Sequence, residues 1–272
     1  MKIRFKVLKG LIQASHFGPT MAVTLVSFLL ASNLWWEGPA YVIAFGVFLG
    51  QLLVGFTNDL NDFEDDLKHK RMNKPLVSGL ITTKQLRRAI YVVAPFALLF
   101  NLLGPLGLKG GSLYLLGVGL GVSYNFYFKS TLLSPLPYAL AFAALVSSIV
   151  IATDQNVPIW LVLAGALFGV AAHFANVLKD LDQDLTSGIK GLPQRLGKKK
   201  SRIICGALLI TLTLTLNSAN PNQVLLIVGL IGALLTAISS DKWIFKALMI
   251  TAIVDVILLL EATGTQIGSI AV

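Results

Sequence analysis

Two short stretches hold eight of the thirteen acidic residues in the chain. The first is Asn58-Asp59-Leu60-Asn61-Asp62-Phe63-Glu64-Asp65-Asp66, and the second is Asp180-Leu181-Asp182-Gln183-Asp184. Asn58, Asp62 and Asp66 are spaced i, i+4, i+8, and so are Asn176, Asp180 and Asp184. The two sets are offset by 118 residues at every position. In a helix this spacing puts all three side chains on one face. Carboxylates stacked in that way repel one another, so the pattern calls for a cation. An all-oxygen set without His or Cys suits Mg²⁺, with Mn²⁺ as the alternative, and disfavours zinc. Mg²⁺ commonly uses one or two carboxylates and completes its shell with substrate phosphate and water. Asp62 with Asp66 and Asp180 with Asp184 are therefore read as catalytic metal ligands for two ions. Asn58 and Asn176 add neutral oxygens one turn away. Asp59 points about 100° from Asn58 around the helix and is free to orient a basic side chain or an acceptor.

Basic residues follow each acidic stretch. Lys74, Lys129 and Lys190, together with Arg71, are the candidates for phosphate contact, because ammonium and guanidinium groups make charge-assisted bonds to phosphate oxygens.

The elements that must hold these residues are apolar. Of 272 residues, 55% are hydrophobic and only 13% charged, with a mean hydropathy of +0.77. About 25% charged residues is usual in a soluble domain, so lipid is the expected solvent. Nine stretches are long enough to span a bilayer: 16–36, 39–57, 86–106, 112–128, 134–152, 158–178, 202–217, 222–239 and 243–263. With the N-terminus inside, 21 of the 22 basic residues fall on the inner side, among them Lys2, Arg4 and Lys242, and Lys109 alone lies outside. This asymmetry predicts an N-in, C-out topology with both acidic stretches cytoplasmic. The net charge of +9 then reflects topology and phosphate binding, and nucleic acid is not an expected partner. The start of the chain alternates basic and apolar residues, as an interfacial anchor does. The 118-residue offset spans four stretches and suggests a weak internal repeat of spans 1–4 and 5–8.

These residues resemble the UbiA prenyltransferase family. Its Asn-Asp-x-x-Asp-x-x-x-Asp motif is matched by Asn58, Asp59, Asp62 and Asp66, and its basic-Pro-Leu-x-Ser-Gly segment by Lys74-Pro75-Leu76-Val77-Ser78-Gly79. The second motif is matched by Asp180, Asp184, Gly188, Lys190, Leu192 and Pro193. Ser123-Tyr124-Asn125 and Lys129 look like the family's element after span 4. Gly191, where many members have Ser or Thr, and Val177, where several have a further Asp, depart from the pattern. The resemblance implies an all-α integral membrane protein with nine transmembrane helices around a central cavity, residues 1–272 forming one transmembrane prenyltransferase domain. It further implies Mg²⁺-dependent transfer of a prenyl group from a polyprenyl diphosphate to a lipophilic acceptor, aromatic or a quinone precursor, among membrane lipids. The expected location is a bacterial or archaeal inner membrane.

Other polar groups in or near spans are candidates for the acceptor side. His16 is either an acceptor contact or a headgroup-level histidine. His173 either lines the pocket or makes a structural hydrogen bond. Tyr124 and Asn125 are read as pocket residues. Asp255, within the last span, either pairs structurally or touches a ligand. Two other activities would use similar residues. A terpene cyclase on the same fold would form product without an acceptor. A cation-coupled transporter would place its carboxylates nearer mid-membrane.

Overall fold

The computed structural model describes residues 2–238 and 241–268, with side chains for 5–238 and 246–268, so the side chains of Lys2, Arg4 and Lys242 lie outside the described part. Among the described residues all regular structure is helical. The helices are α1 (Lys2–Ala14), α2 (Phe17–Leu34), α3 (Glu37–Lys68), α4 (Thr83–Leu102), α5 (Gly107–Ser123), α6 (Leu136–Ile151), α7 (Ile159–Thr186), α8 (Leu192–Ala219), α9 (Gln223–Ile238) and α10 (Asp241–Gln266). A π-helical turn, Tyr124–Phe128, continues α5. Five helices (α2, α3, α7, α8 and α10) are long and apolar enough to cross a membrane, and α6 and α9 are shorter apolar helices. The chain is an integral membrane protein.

Helix length explains how the acidic stretches reach water. At 1.5 Å per residue, the 32 residues of α3 extend about 48 Å and the 28 of α7 about 42 Å. A hydrocarbon core is about 30 Å thick. Each helix therefore continues beyond the apolar stretch and carries its carboxylates on the extension. The sequence reading ended the apolar spans at 57 and 178, whereas the helices run on unbroken to Lys68 and Thr186.

The main core is made of aliphatic residues from α2, α3, α5–α8 and the last helices, including Leu30, Leu34, Ile149, Leu161, Leu212 and Leu258. Small residues let helices approach closely, as expected where lipid offers no hydrophobic drive between them. A β-carbon at Gly169 of α7 would sit 2.3 Å from the Tyr138 carbonyl of α6. A second, smaller cluster of Ala14, Phe56, Leu76, Ile81 and Leu86 joins α1, α3 and α4 to the segment between α3 and α4. That cluster anchors the segment bearing Arg71 and Lys74. Its far end enters α4 through a capping box: the Thr82 hydroxyl accepts from Gln85 N at 3.2 Å, and Thr82 N donates to Gln85 Oε1 at 2.9 Å. In α1, Phe5 and Leu8 are exposed and Ala14 is buried, the amphipathic character of an interfacial helix.

Candidate active site

The inner ends of α3 and α7 meet. Arg71 joins them: its Nη1 lies 2.6 Å from Asp66 Oδ1 on α3, and its Nη2 donates to Ser187 Oγ at 2.5 Å, at the end of α7. The same guanidinium is 3.6 Å from Asp65. One planar donor fork thus joins Asp66 to Ser187, the latter 116 residues from Arg71 in sequence.

Asp62 and Asp59 of α3 pair with lysines from other segments. Lys129 Nζ lies 2.6 Å from Asp62 Oδ2. Lys74 Nζ lies 2.8 Å from Asp59 Oδ1 and 4.0 Å from Asp66 Oδ2. Asp59 is only 3% exposed and is also 3.2 Å from His16 Nε2. Burial alone would lower the Lys74 pKa, but the carboxylates of Asp59, Asp66 and Asp62 outweigh it and hold that pKa above its ordinary 10.5. His16 reaches Asp59 from the α1–α2 junction, where its backbone is left-handed at φ 50°. A non-glycine residue adopts that conformation at a cost, which the surrounding contacts must offset.

Neutral groups fix the geometry between helices. Asn58 Nδ2 donates to Asn125 Oδ1 at 2.9 Å and lies 3.3 Å from Asp62 Oδ2. Asn61 Nδ2 donates to the Asn125 carbonyl at 3.1 Å. The π-helical turn makes this possible. Its extra residue turns Tyr124 and Asn125 inward and buried, while Phe126 and Tyr127 are exposed at 55% and 75%. Of the aromatic residues in that turn, Tyr124 is the buried one at the site. Its ring packs edge-on against Tyr138 and against His173. His173 is fully buried, and its Nε2 lies 3.1 Å from Ser134 Oγ.

On α7, Asn176 and Asp180 are exposed. Asp184 accepts from Gln194 Nε2 at 2.8 Å and lies within the electrostatic reach of Lys129, Asp180 and Arg71. Lys190 is exposed in the α7–α8 connection, and among the described residues its ammonium is not part of the ion pairs that join the clusters. The departure at Gly191 has a physical reason. A β-carbon there would come within 2.7 Å of both the Lys129 carbonyl and Gln194 Oε1, and within 3.0 Å of Ser134 Oγ. Ser134 Oγ also accepts from Leu192 N at 3.0 Å, which ties the connection beside α6.

A cavity of about 290 Å³ opens beside the α3 cluster, lined by Asp62, Asp65, Asn125, Lys129 and Ser187 among others. Among the described residues no three His, Cys, Asp or Glu side chains converge on a single point. That arrangement still fits Mg²⁺, which needs only one or two carboxylates when phosphate supplies the rest. The donors are all oxygen, and every carboxylate of α3 on the cavity side already holds a positive group. Asp62, Asp66, Asp180 and Asp184, with Asn58 and Asn176, are the residues that could hold the ions. Sequence reasoning missed Asn61, Ser134, Ser187 and Gln194, all uncharged residues whose partners lie on other elements.

Comparison with known proteins agrees with this architecture. The chain is 30% identical over 178 residues to the 4-hydroxybenzoate octaprenyltransferase of Vibrio atlanticus, a match covering 64% of this chain and 62% of that relative. It is 31% identical over 167 residues to the enzyme of the same name from Citrobacter koseri, covering 60% and 57%. The chain thus spans about six tenths of the length of these curated relatives. In fold it is similar to a UbiA homolog from Archaeoglobus fulgidus bound to GPP and Mg²⁺, with a TM-score of 0.69 at 14% identity over 94% of this chain and 100% of that one. It is also similar to the apo UbiA homolog from Aeropyrum pernix K1, with a TM-score of 0.67 at 16% identity over 93% and 96%. The model of the UbiA prenyltransferase family matches residues 20–248, and the chain belongs to that family.

Proposed function

We propose that this protein transfers a prenyl group from a polyprenyl diphosphate to a lipophilic acceptor within the membrane, with Mg²⁺ as cofactor. The observation that carries the reading is the meeting of two acidic helix ends through Arg71, beside a cavity lined by Asp62 and Lys129. Asp62 and Asp66, with Asn58, would hold one ion, and Asp180 and Asp184, with Asn176, the other. Bound Mg²⁺ would neutralise the charge that develops on the departing diphosphate. Arg71, Lys74, Lys129 and Lys190 share that task through charge-assisted hydrogen bonds to phosphate oxygens.

In the reaction the bond between the prenyl carbon and the diphosphate oxygen breaks, and its electron pair leaves with diphosphate. A π bond of the acceptor supplies the electrons for the new carbon–carbon bond, and a proton then leaves the acceptor. Tyr124 presents a buried aromatic face that can steady positive charge on the prenyl carbon. Asn125 and Tyr124 form the acceptor side, with His173 backing Tyr124. Asp59 orients His16, which is placed to contact the acceptor. The curated relatives are named for 4-hydroxybenzoate, which supports an aromatic acceptor. The nine sequence spans each correspond to one helix from α2 to α10, which supports nine crossings and one domain over residues 1–272, and with the distribution of basic residues an N-in and C-out topology. The matched clusters of α3 and α7 support an internal repeat. A bacterial or archaeal inner membrane remains the proposed location.

The test is mass spectrometry of products from the purified protein supplied with a panel of prenyl diphosphates, phenolic and quinone-precursor acceptors, and Mg²⁺. Prenylated acceptor should form with Mg²⁺ or Mn²⁺ and vanish in excess EDTA. Full turnover in EDTA would refute the metal assignment. A hydrocarbon product formed without any acceptor would replace transfer by cyclisation.

A further inference from the structure

Helix α1 contributes no metal ligand, yet its residues are sorted around its axis into three stripes. The first packs inward. Gly10 and Ala14 are buried, and Val7 and Leu11 lie part-buried against the small cluster that also holds Ile81 and Leu86. A β-carbon at Gly10 would lie 2.5 Å from Ile81 Cγ2, so the middle of α1 rests on the entry to α4. The second stripe is Phe5, Leu8 and Ile12, exposed at 70%, 54% and 44%. The third is Lys6 and Lys9, also exposed. On α4, Lys84, Arg87, Arg88 and Tyr91 share one exposed face at helical spacing.

A helix with this cross-section suits the boundary between water and lipid. In water the apolar stripe would stay hydrated, and in hydrocarbon the lysines would lose their solvent. Only at the boundary does each stripe find the medium it needs. The start of α4 marks the same level. Its exposed Tyr91 and Val92 open the apolar part of the helix, and three basic residues precede them within two turns.

The five cations have no anion within the chain. Neither α1 nor α4 contains an Asp or Glu. Among the described residues, Lys6, Lys9, Lys84, Arg87 and Arg88 form no ion pair, whereas Arg71, Lys74 and Lys129 each pair with a carboxylate. Their counter-charge must come from outside the protein, and at the membrane surface the anion present is a lipid phosphate. Topology accounts for the sign of this charge. It does not call for an apolar stripe beside Lys6 and Lys9, or for α1 to be seated on α4.

We infer that α1 and the first turns of α4 form a docking surface for an anionic phospholipid, whose phosphate meets the basic groups and whose acyl chains cover Phe5, Leu8 and Ile12. Occupancy steadies the α1–α2 junction, where the Ser15 carbonyl packs on Gly55 of α3 and His16 reaches Asp59 at 3.2 Å. The inference does not rest on the transfer reaction proposed for the metal clusters.

The experiment is native mass spectrometry of the whole protein with dioleoyl phosphatidylglycerol and dioleoyl phosphatidylcholine in competition. The first phosphatidylglycerol should bind about tenfold tighter than phosphatidylcholine, since each basic group near an anionic lipid contributes about fivefold at most. A variant carrying Lys6→Gln, Lys9→Gln, Arg87→Gln and Arg88→Gln should lose most of that preference. Lys199→Gln with Lys200→Gln, a basic pair elsewhere on the surface, should keep it. In nanodiscs of either lipid, amides of residues 5–16 and 83–91 should exchange hydrogen more slowly with phosphatidylglycerol. Equal affinity for the two lipids in the wild type overturns the inference. So does full preference in the fourfold variant, or displacement of the lipid by inorganic phosphate at equal concentration. If the fourfold variant does not fold, wild-type hydrogen exchange decides, and protection confined to other segments overturns the assignment.

Discussion

Asp59, Asp62 and Asp66 of α3 have different principal cations, Lys74, Lys129 and Arg71, so single substitutions at this site have distinguishable consequences. Asp62 faces the cavity and takes Lys129, whereas Asp59 is buried and takes Lys74 and His16. Asp62→Ala and Asp180→Ala should each lower turnover by on the order of 10²-fold or more, the scale of removing electrostatic stabilisation of a developing charge. Both residues lie on helix extensions outside the apolar seams, so expression and membrane insertion should be unchanged. Near-normal product formation by the folded Asp62→Ala protein would show the metal assignment to be wrong. Lys74 gives a pH test. Its folded pKa is raised above 10.5 by Asp59, Asp66 and Asp62 acting against burial. A raised base contributes stability that is complete below the unfolded value and is lost as pH rises through the folded value. The melting-temperature difference between wild type and Lys74→Met should therefore hold constant from neutral pH to about 10.5 and shrink only above it. A difference that disappears by pH 9 would contradict the buried pairing.

Between elements, the α7–α8 connection sets the second cluster. Gln194 holds Asp184 at 2.8 Å, while Ser134 ties Leu192 N and His173 into the same corner. Gly191 leaves the space these contacts need. Partners that orient metal ligands typically matter by 10–100-fold in metal affinity. Gln194→Ala should weaken Mn²⁺ binding, measured directly by electron paramagnetic resonance, by about that factor, and Gln194→Asn should recover part of it. Unchanged Mn²⁺ affinity would reduce Gln194 to a packing residue. Gly191→Ser should lower the melting temperature, because its β-carbon meets a backbone carbonyl that cannot step aside. This corner also marks where the sequence ceased to be legible. Asp62, Asp66, Asp180 and Asp184 could be read because charge is scarce in the chain and the two sets share one spacing. Gln194, Ser134 and Ser187 are uncharged, and two of them act across 58 or 116 residues, so no local pattern distinguishes them from ordinary turn residues. The π-helical turn at Tyr124–Phe128 likewise has no spacing signal, yet it decides which aromatic ring is buried. The helices themselves were legible from apolar length, and the i, i+4, i+8 spacing carried the helical reading through Asp66 and Asp184, where hydropathy alone ends the spans at 57 and 178.

Across the whole molecule, the arrangement depends on α3 and α7 ending on the same side of the membrane. Arg71 bonds to both Asp66 and Ser187, which is possible only if the two helix ends are neighbours. If α4, α5 and α6 each cross once, α3 and α7 run in the same direction and their ends coincide, as observed. The distribution of basic residues then selects which side that is. Positive residues resist transfer across the membrane, so the side holding Lys68, Lys70, Arg71 and Lys198-Lys199-Lys200 should be cytoplasmic. Lys109, at the opposite end of α5, should lie outside. The chain suits a labelling test because its one cysteine, Cys205, is fully buried and gives no background with an impermeant maleimide. Cysteines placed singly at Lys68 and Lys199, both exposed, should label only when the cytoplasmic face is opened. One at Lys109, also exposed, should label in intact cells. Labelling of position 68 or 199 from outside would invert the topology. It would also put the diphosphate site on the side where a polyprenyl diphosphate made in the cytoplasm could not reach it directly. Labelling of 68 and 199 from opposite sides would mean an odd number of crossings separates the two acidic helix ends, which the Arg71 contacts forbid.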